Sequence, residues 1–283
     1  MLLGFLLCFP AGAQVAATLM VDRGLPTANL NDVAGANRSN NRLARDSTNE
    51  GFFGDDFTIG DAGQVYVIDS IRTWAVAIER PGRGEQLGDR YEDIRLYFGI
   101  DNVSEIATGT LMAGCSHPDN PNINVSAVSY PVADASGNSL FDNIDPGVSN
   151  FQIWQIDFTT LKLVVNGGVA HRFGVWGKGR LRPGEVALYF PWFNHASNAA
   201  RSGSPQQGAD NRILSFLADG TFERVLNTKF AGWDKPADLN VQVFAYRVPV
   251  VKSDCKKGGW KSLFTFDARS FVSQSDCVTY LKR

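Results

Sequence analysis

The feature that most constrains this chain is a two-residue hydrophobic rhythm, repeated between clusters of Gly, Pro, Asn and Asp. Ile94, Leu96 and Phe98 alternate with Arg95 and Tyr97, and Trp154, Ile156 and Phe158 alternate with Gln155 and Asp157. Leu161, Leu163 and Val165 follow in step, then His171, Phe173 and Val175, then Val186, Leu188 and Phe190. Successive side chains of a strand point to opposite faces, so each run reads as a strand, and no long 3.6-residue period competes. Residues 65–76 and 240–248 read as longer strands. Asp119-Asn120-Pro121-Asn122 and Arg182-Pro183-Gly184 are typical of the turn chemistry between the runs. Asn166-Gly167 between two runs predicts a hairpin. The expected fold is all-β: an antiparallel β-sandwich of jelly-roll type, one domain over residues 14–251. The 32 aromatic residues (19 Phe, 7 Tyr, 6 Trp) are enough for a large core. A net charge of −2 argues against nucleic acid as a partner of the whole chain.

Two polar stretches interrupt the rhythm. Residues 29–50 are expected to wrap the sandwich edge, and residues 194–211 (NHASNAARSGSPQQGADN) read as a long exposed loop. Binding functions concentrate on such loops when a rigid scaffold presents them.

The N-terminus reads as an export signal. An apolar run from Leu2 to Phe9 precedes Pro10 and the small-residue sequence Ala11-Gly12-Ala13, which predicts a signal peptide over 1–13 and a mature start at Gln14. No Lys or Arg precedes the run, which leaves open a start further upstream. No other apolar run approaches the roughly 18 residues of a transmembrane segment, so a secreted or extracellular protein is expected. Cleavage leaves Cys115, Cys255 and Cys277. In an oxidising compartment Cys255 and Cys277 form the natural pair, with Cys115 free and buried as a small apolar residue. Their spacing does not suit zinc.

The tail, 252–283, differs from the body in charge. It carries seven Lys or Arg and three Asp, a net of +4, so the rest of the chain carries −6. Thirty-two residues cannot bury enough apolar area to fold unaided, so a basic module pinned by a disulfide is expected. Its residues Asp254-Cys255-Lys256-Lys257-Gly258-Gly259-Trp260, followed by Phe271 to Tyr280, resemble a short C-terminal cysteine motif of exported bacterial proteins, with Ser275 where the motif has Gly. In the body, Asp22-Arg23-Gly24-Leu25-Pro26, Asp55 to Ile59, Tyr66 to Ile71 and Asp238 to Val248 resemble segments of exported bacterial β-sandwich proteins of unknown function, some lectin-like in shape. The resemblance implies no catalytic residues.

The chain contains no GxSxG, P-loop, GxGxxG or HExxH. Of three histidines, His171 shares the apolar phase of Phe173 and reads as a core residue. His117 beside Cys115 and Ser116 is too close in sequence to make a working dyad. Asp55 and Asp56, joined by Asp238, are candidates for a structural calcium by analogy with carbohydrate-binding jelly rolls. Trp192 and Trp233, flanked by Asn, His and Asp, fit sugar recognition: a ring stacks on the pyranose while amides take its hydroxyls. The expected ligand site is therefore Trp192, Asn194, His195, Asn198 and Trp233, with both tryptophans capping the core as the alternative. The function expected is a non-catalytic surface or matrix protein binding glycans or other cell-envelope components. A secreted carbohydrate-active hydrolase or lyase, or a purely structural envelope protein, is the alternative.

Overall fold

The computed structural model describes residues 17–25, 40–43, 51–79, 86–128, 150–180, 192–195, 207–210, 212–227 and 238–282. The segment read as a signal peptide, the strand expected at 186–190 and most of the two polar stretches lie outside them. The larger sheet is built on the 15-residue β4 (Val65–Glu79). One edge of β4 pairs with β14 (Val241–Val248) and then β11 (Trp192–His195); the other pairs with β9 (Leu163–Asn166) and then β8 (Asn150–Phe158). Beyond these lie β1 (Thr18–Asp22) on β14, β2 (Asn40–Leu43) on β11 and β7 (Ile123–Val128) on β8. The second sheet runs β13 (Phe222–Asn227), β12 (Arg212–Phe216), β3 (Phe52–Thr58), β10 (Ala170–Trp176), β5 (Asp93–Gly99), β6 (Val103–Thr110). Among the described residues every strand pairing is antiparallel.

The core lies between the sheets. Ile71, Ala75, Ile156 and Val243 of the larger sheet join Ile94, Leu96, Phe173 and Val175 of the smaller in one buried cluster. Each buried Ile, Leu, Val or Phe among them contributes about 1.5–3 kcal/mol by leaving water. In β4, Ile68 opposes Ala245 and Ser70 opposes Phe244, which leaves Asp69 as a bulged extra residue. The bulge resets the alternation, so Tyr66 and Ile68 before it and Ile71 and Ala75 after it all reach the core.

Two expectations need correction. Tyr97, on the polar phase of its strand, is buried because its ring lies 4.3 Å from that of Phe52. The Asn166-Gly167 turn is not a hairpin. It joins β9 of the larger sheet to β10 of the smaller, so it is a corner of the sandwich. There Gly167 and Gly168 donate to the carbonyls of Gln64 and Ile59 at 2.8 and 3.0 Å, and a Cβ on Gly167 would sit 2.4 Å from the Asp61 oxygen. The close approach to a neighbouring turn, rather than a two-strand reversal, is what requires glycine.

The C-terminal module folds around the Cys255–Cys277 disulfide, with Leu263 and Phe271 buried against it and Trp260 packed alongside. A 3-10 turn (Gly259–Ser262) and α2 (Gln274–Tyr280) are its regular elements; α1 (Leu87–Arg90) lies in the body. The module docks on the outer face of the larger sheet, where Phe264 and Ala268 pack on Val67, Tyr246 and Val248. The Tyr246 hydroxyl donates to the Phe266 carbonyl at 2.9 Å, and Arg247 pairs with Asp254 at 3.1 Å.

Candidate functional site

The expected ligand residues are not presented together. Trp192 is 1 % exposed, in the main core, with the Tyr91 ring edge-on at 4.9 Å. Its indole Nε1 donates to Asn194 Oδ1 at 2.9 Å, and Asn194 is itself 1 % exposed. Strand alternation aims residues 192 and 194 inward, so the ring face of Trp192 packs on protein and not on a ligand. His195 ends β11 opposite Asn40. Asn198 and Trp233 lie outside the described residues.

Asp55 and Asp238 come together around the guanidinium of Arg23. Arg23 Nη1 donates to Asp55 Oδ2 at 2.8 Å and lies 3.7 Å from Asp238 Oδ1; Arg23 is completely buried. Its remaining donors reach the carbonyls of Asp56, Gln207 and Gly208 at 2.6, 3.3 and 3.1 Å. Asp55 also accepts from the Leu239 amide at 2.6 Å and the Asp56 amide at 2.7 Å. These N–H donors occupy the directions from which a cation would approach, and the arrangement fits a guanidinium better than a divalent ion. Burial raises the Asp55 carboxyl well above the usual carboxylate range, with Asp238 adding to the shift; Arg23 and the Leu239 amide oppose it. One guanidinium cannot neutralise two carboxylates. Burial, and then Asp210, also raise Asp56.

His171 is the core histidine its phase predicts: 2 % exposed, stacked on Phe98 at 5.7 Å, with Nε2 2.9 Å from the Asn166 carbonyl. Ser116 is engaged structurally, its Oγ donating to Gln86 at 2.9 Å and accepting from the Leu87 amide at 2.8 Å. Cys115 is free and half-buried rather than buried, and His117 is exposed.

A different set of polar residues is assembled on the outer face of the larger sheet. In register across five strands stand Asn124, Asp157, Arg72, Gln242 and Asp22. Arg72 Nε donates to Asp157 Oδ1 at 2.5 Å, and Gln155 Nε2 donates to Asp157 Oδ2 at 2.8 Å. Arg72 Nη1 reaches Gln242 Oε1 at 3.5 Å, and Gln242 Nε2 donates to Asp22 Oδ1 at 3.1 Å. The guanidinium lies 5.5 Å from the centre of the half-buried Phe244 ring. Arg72 and Asp157 are 32 % and 20 % exposed at the side chain, and Asn124 is exposed. The next row holds Ser126, Gln155 and Trp74. Trp74 shares the outward phase of Arg72, is 1 % exposed and has no partner for its indole Nε1 among the described residues.

The sequence signal for this row was half visible. Gln155 and Asp157 are the polar members of an alternating run, but their alignment with Arg72 and Gln242 follows only from strand register. Comparison with family models, with curated proteins and with solved structures gives no match.

Proposed function

We propose that this chain is a secreted, non-catalytic surface or matrix protein that binds glycans through the outer face of its larger sheet. The observation that carries the reading is the row Asn124–Asp157–Arg72–Gln242–Asp22 beside the Phe244 ring. Sugar hydroxyls both donate and accept, and carboxylate, amide and guanidinium groups in one row offer both roles. An adjacent aromatic ring suits the apolar C–H face of a pyranose. The internal hydrogen bonds hold the side chains in place before a ligand arrives, which lowers the ordering cost of binding.

Secretion belongs to the same proposal. A disulfide is the bond of oxidising compartments, and no described helix is long and apolar enough to cross a membrane. The jelly-roll connectivity of the two sheets is proposed with it. A structural calcium at Asp55, Asp56 and Asp238 would have to displace the Arg23 guanidinium, so a calcium-dependent rise in melting temperature is the observation that would establish one.

A glycan array screened with the exported protein tests the reading. Binding weakened by Arg72→Ala and by Phe244→Ala supports it. An array with no positive glycan refutes it, and glycan turnover by the purified protein would assign the enzymatic alternative instead.

A further inference from the structure

We infer that the C-terminal module is a second binding surface, which takes a polyanionic, carboxylate-bearing polysaccharide. In the module, the residues of the cysteine motif are engaged in its own folding. Asp254 accepts from the amides of Val250 and Val251 at 2.8 and 3.0 Å and pairs with Arg247. Gly258 takes the left-handed conformation at φ 84°, and a Cβ on Gly259 would sit 2.1 Å from the Asp254 carbonyl oxygen. Ser273 caps α2 by accepting from the Asp276 amide at 3.1 Å, while Asp276 pairs with Arg269 at 2.8 Å and accepts from the Val272 amide. Asp267 accepts from the Thr265 hydroxyl at 2.5 Å.

The lysines have no such role. Lys252, Lys256, Lys257, Lys261 and Lys282 are all exposed, and none forms an ion pair among the described residues. The Lys261 ammonium lies 5.9 Å from the centre of the Trp260 ring. Of the module's three acidic side chains, Asp254 and Asp276 are paired with Arg247 and Arg269, and Asp267 alone is left to offset part of the lysine charge. Five exposed lysines outside any ion pair among the described residues, on a unit of 32 residues with net charge +4 attached to a body of net −6, amount to a positive field confined to one place on the molecule. Disulfide and docking contacts hold it there.

The kind of anion follows from the kind of cation. An Arg fork matches planar phosphate or carboxylate geometry in two-point contacts, but the module's Arg269 is already engaged with Asp276. Lysines are compact, hydrated point charges on flexible stems, which suit single charges spaced along a flexible polymer. A polysaccharide is favoured over a bilayer because the module packs on Tyr246 and Val248, on the same sheet face and the same strand as Gln242 and Phe244. That one step of the choice rests on the outer-face reading; the charge argument does not.

Polygalacturonate is the probe for the full-length chain, with neutral dextran, phosphatidylglycerol vesicles and duplex DNA beside it. Binding to polygalacturonate is expected at low salt and is lost as sodium chloride approaches roughly 1 M, where screening acts over about 3 Å. The triple variant Lys256→Gln, Lys257→Gln, Lys261→Gln should bind about tenfold more weakly. Its disulfide and circular dichroism should be unchanged, since these side chains hold nothing in place. Unchanged affinity in the triple variant, no binding to polygalacturonate, or preferential binding to vesicles or DNA would each overturn the inference. Binding to polygalacturonate together with an array devoid of neutral glycans would overturn only the outer-face reading.

Discussion

Arg72 and Asp157, 85 residues apart in sequence, meet across neighbouring strands with Nε 2.5 Å from Oδ1. The pair sits at the middle of a polar row that crosses five strands, and Gln155 fixes the other carboxylate oxygen. Removing Arg72 therefore takes away the central cation of the candidate glycan face while leaving the core intact.

Arg72→Ala is expected to abolish or strongly weaken glycan binding with little effect on stability. Partly exposed ion pairs are worth about 0–1 kcal/mol. Urea denaturation alongside the binding assay separates the two effects; a loss of several kcal/mol would reassign Arg72 to a structural role.

Arg23 predicts the opposite pattern. Its guanidinium is fully buried between Asp55 and Asp238 and donates to three backbone carbonyls as well. Arg23→Met leaves the carboxylates without their cation, at a cost of about 3–5 kcal/mol. Arg23→Lys is expected to recover little of this, because an ammonium cannot reach in all the directions served by the planar fork. A chemical-denaturation midpoint within error of the parent for either variant would show that the cluster is not what ties β1 to β3.

The same cluster sets a pH dependence. The Asp55 carboxyl is raised above the ordinary aspartate value of 3.8 by burial, reinforced by Asp238. A carboxyl with a folded pKa above its unfolded one contributes stability that is complete below the unfolded value. That contribution is lost as pH rises through the folded value. Asp55 thus favours the folded state at pH below its raised folded value and opposes it above. A carbon-13 titration of the Asp55 carboxyl should show a midpoint above 3.8. A midpoint at or below that value would mean that Arg23 and the amide donors outweigh burial.

For the module, reduction of Cys255–Cys277 opens a loop of 22 residues. Chain entropy assigns such a closure roughly 3 kcal/mol. Reduced protein should lose protection from hydrogen exchange over residues 252–282, while the sandwich strands keep theirs. Gly259→Ala should weaken the same segment, because its Cβ would sit 2.1 Å from the Asp254 carbonyl oxygen, a backbone atom that cannot step aside. Equal protection in both redox states would show that docking through Phe264 and Ala268 alone holds the module.

The sequence by itself determined what is local. Period-2 alternation marks β4, β5, β8, β10 and β14 because each strand shows its own two faces. The proximity of two cysteines in a short tail likewise marked the disulfide, and His171 was legible as a core residue from its phase with Phe173. Tertiary structure decided everything that depends on register and on which sheet a strand joins. The outward phase of Gln155 and Asp157 says nothing of Arg72 or Gln242 until strand pairing, reset by the bulge at Asp69, lines them up. Trp192 looked like a loop-mouth aromatic, yet pairing of β11 with β4 turns it into the core. Asp55 and Asp238 share a cluster only because Arg23, brought in by β1 on the far side of β14, places its guanidinium between them. Registers of this kind are set by contacts between segments distant in the chain, and they leave no local periodicity to read.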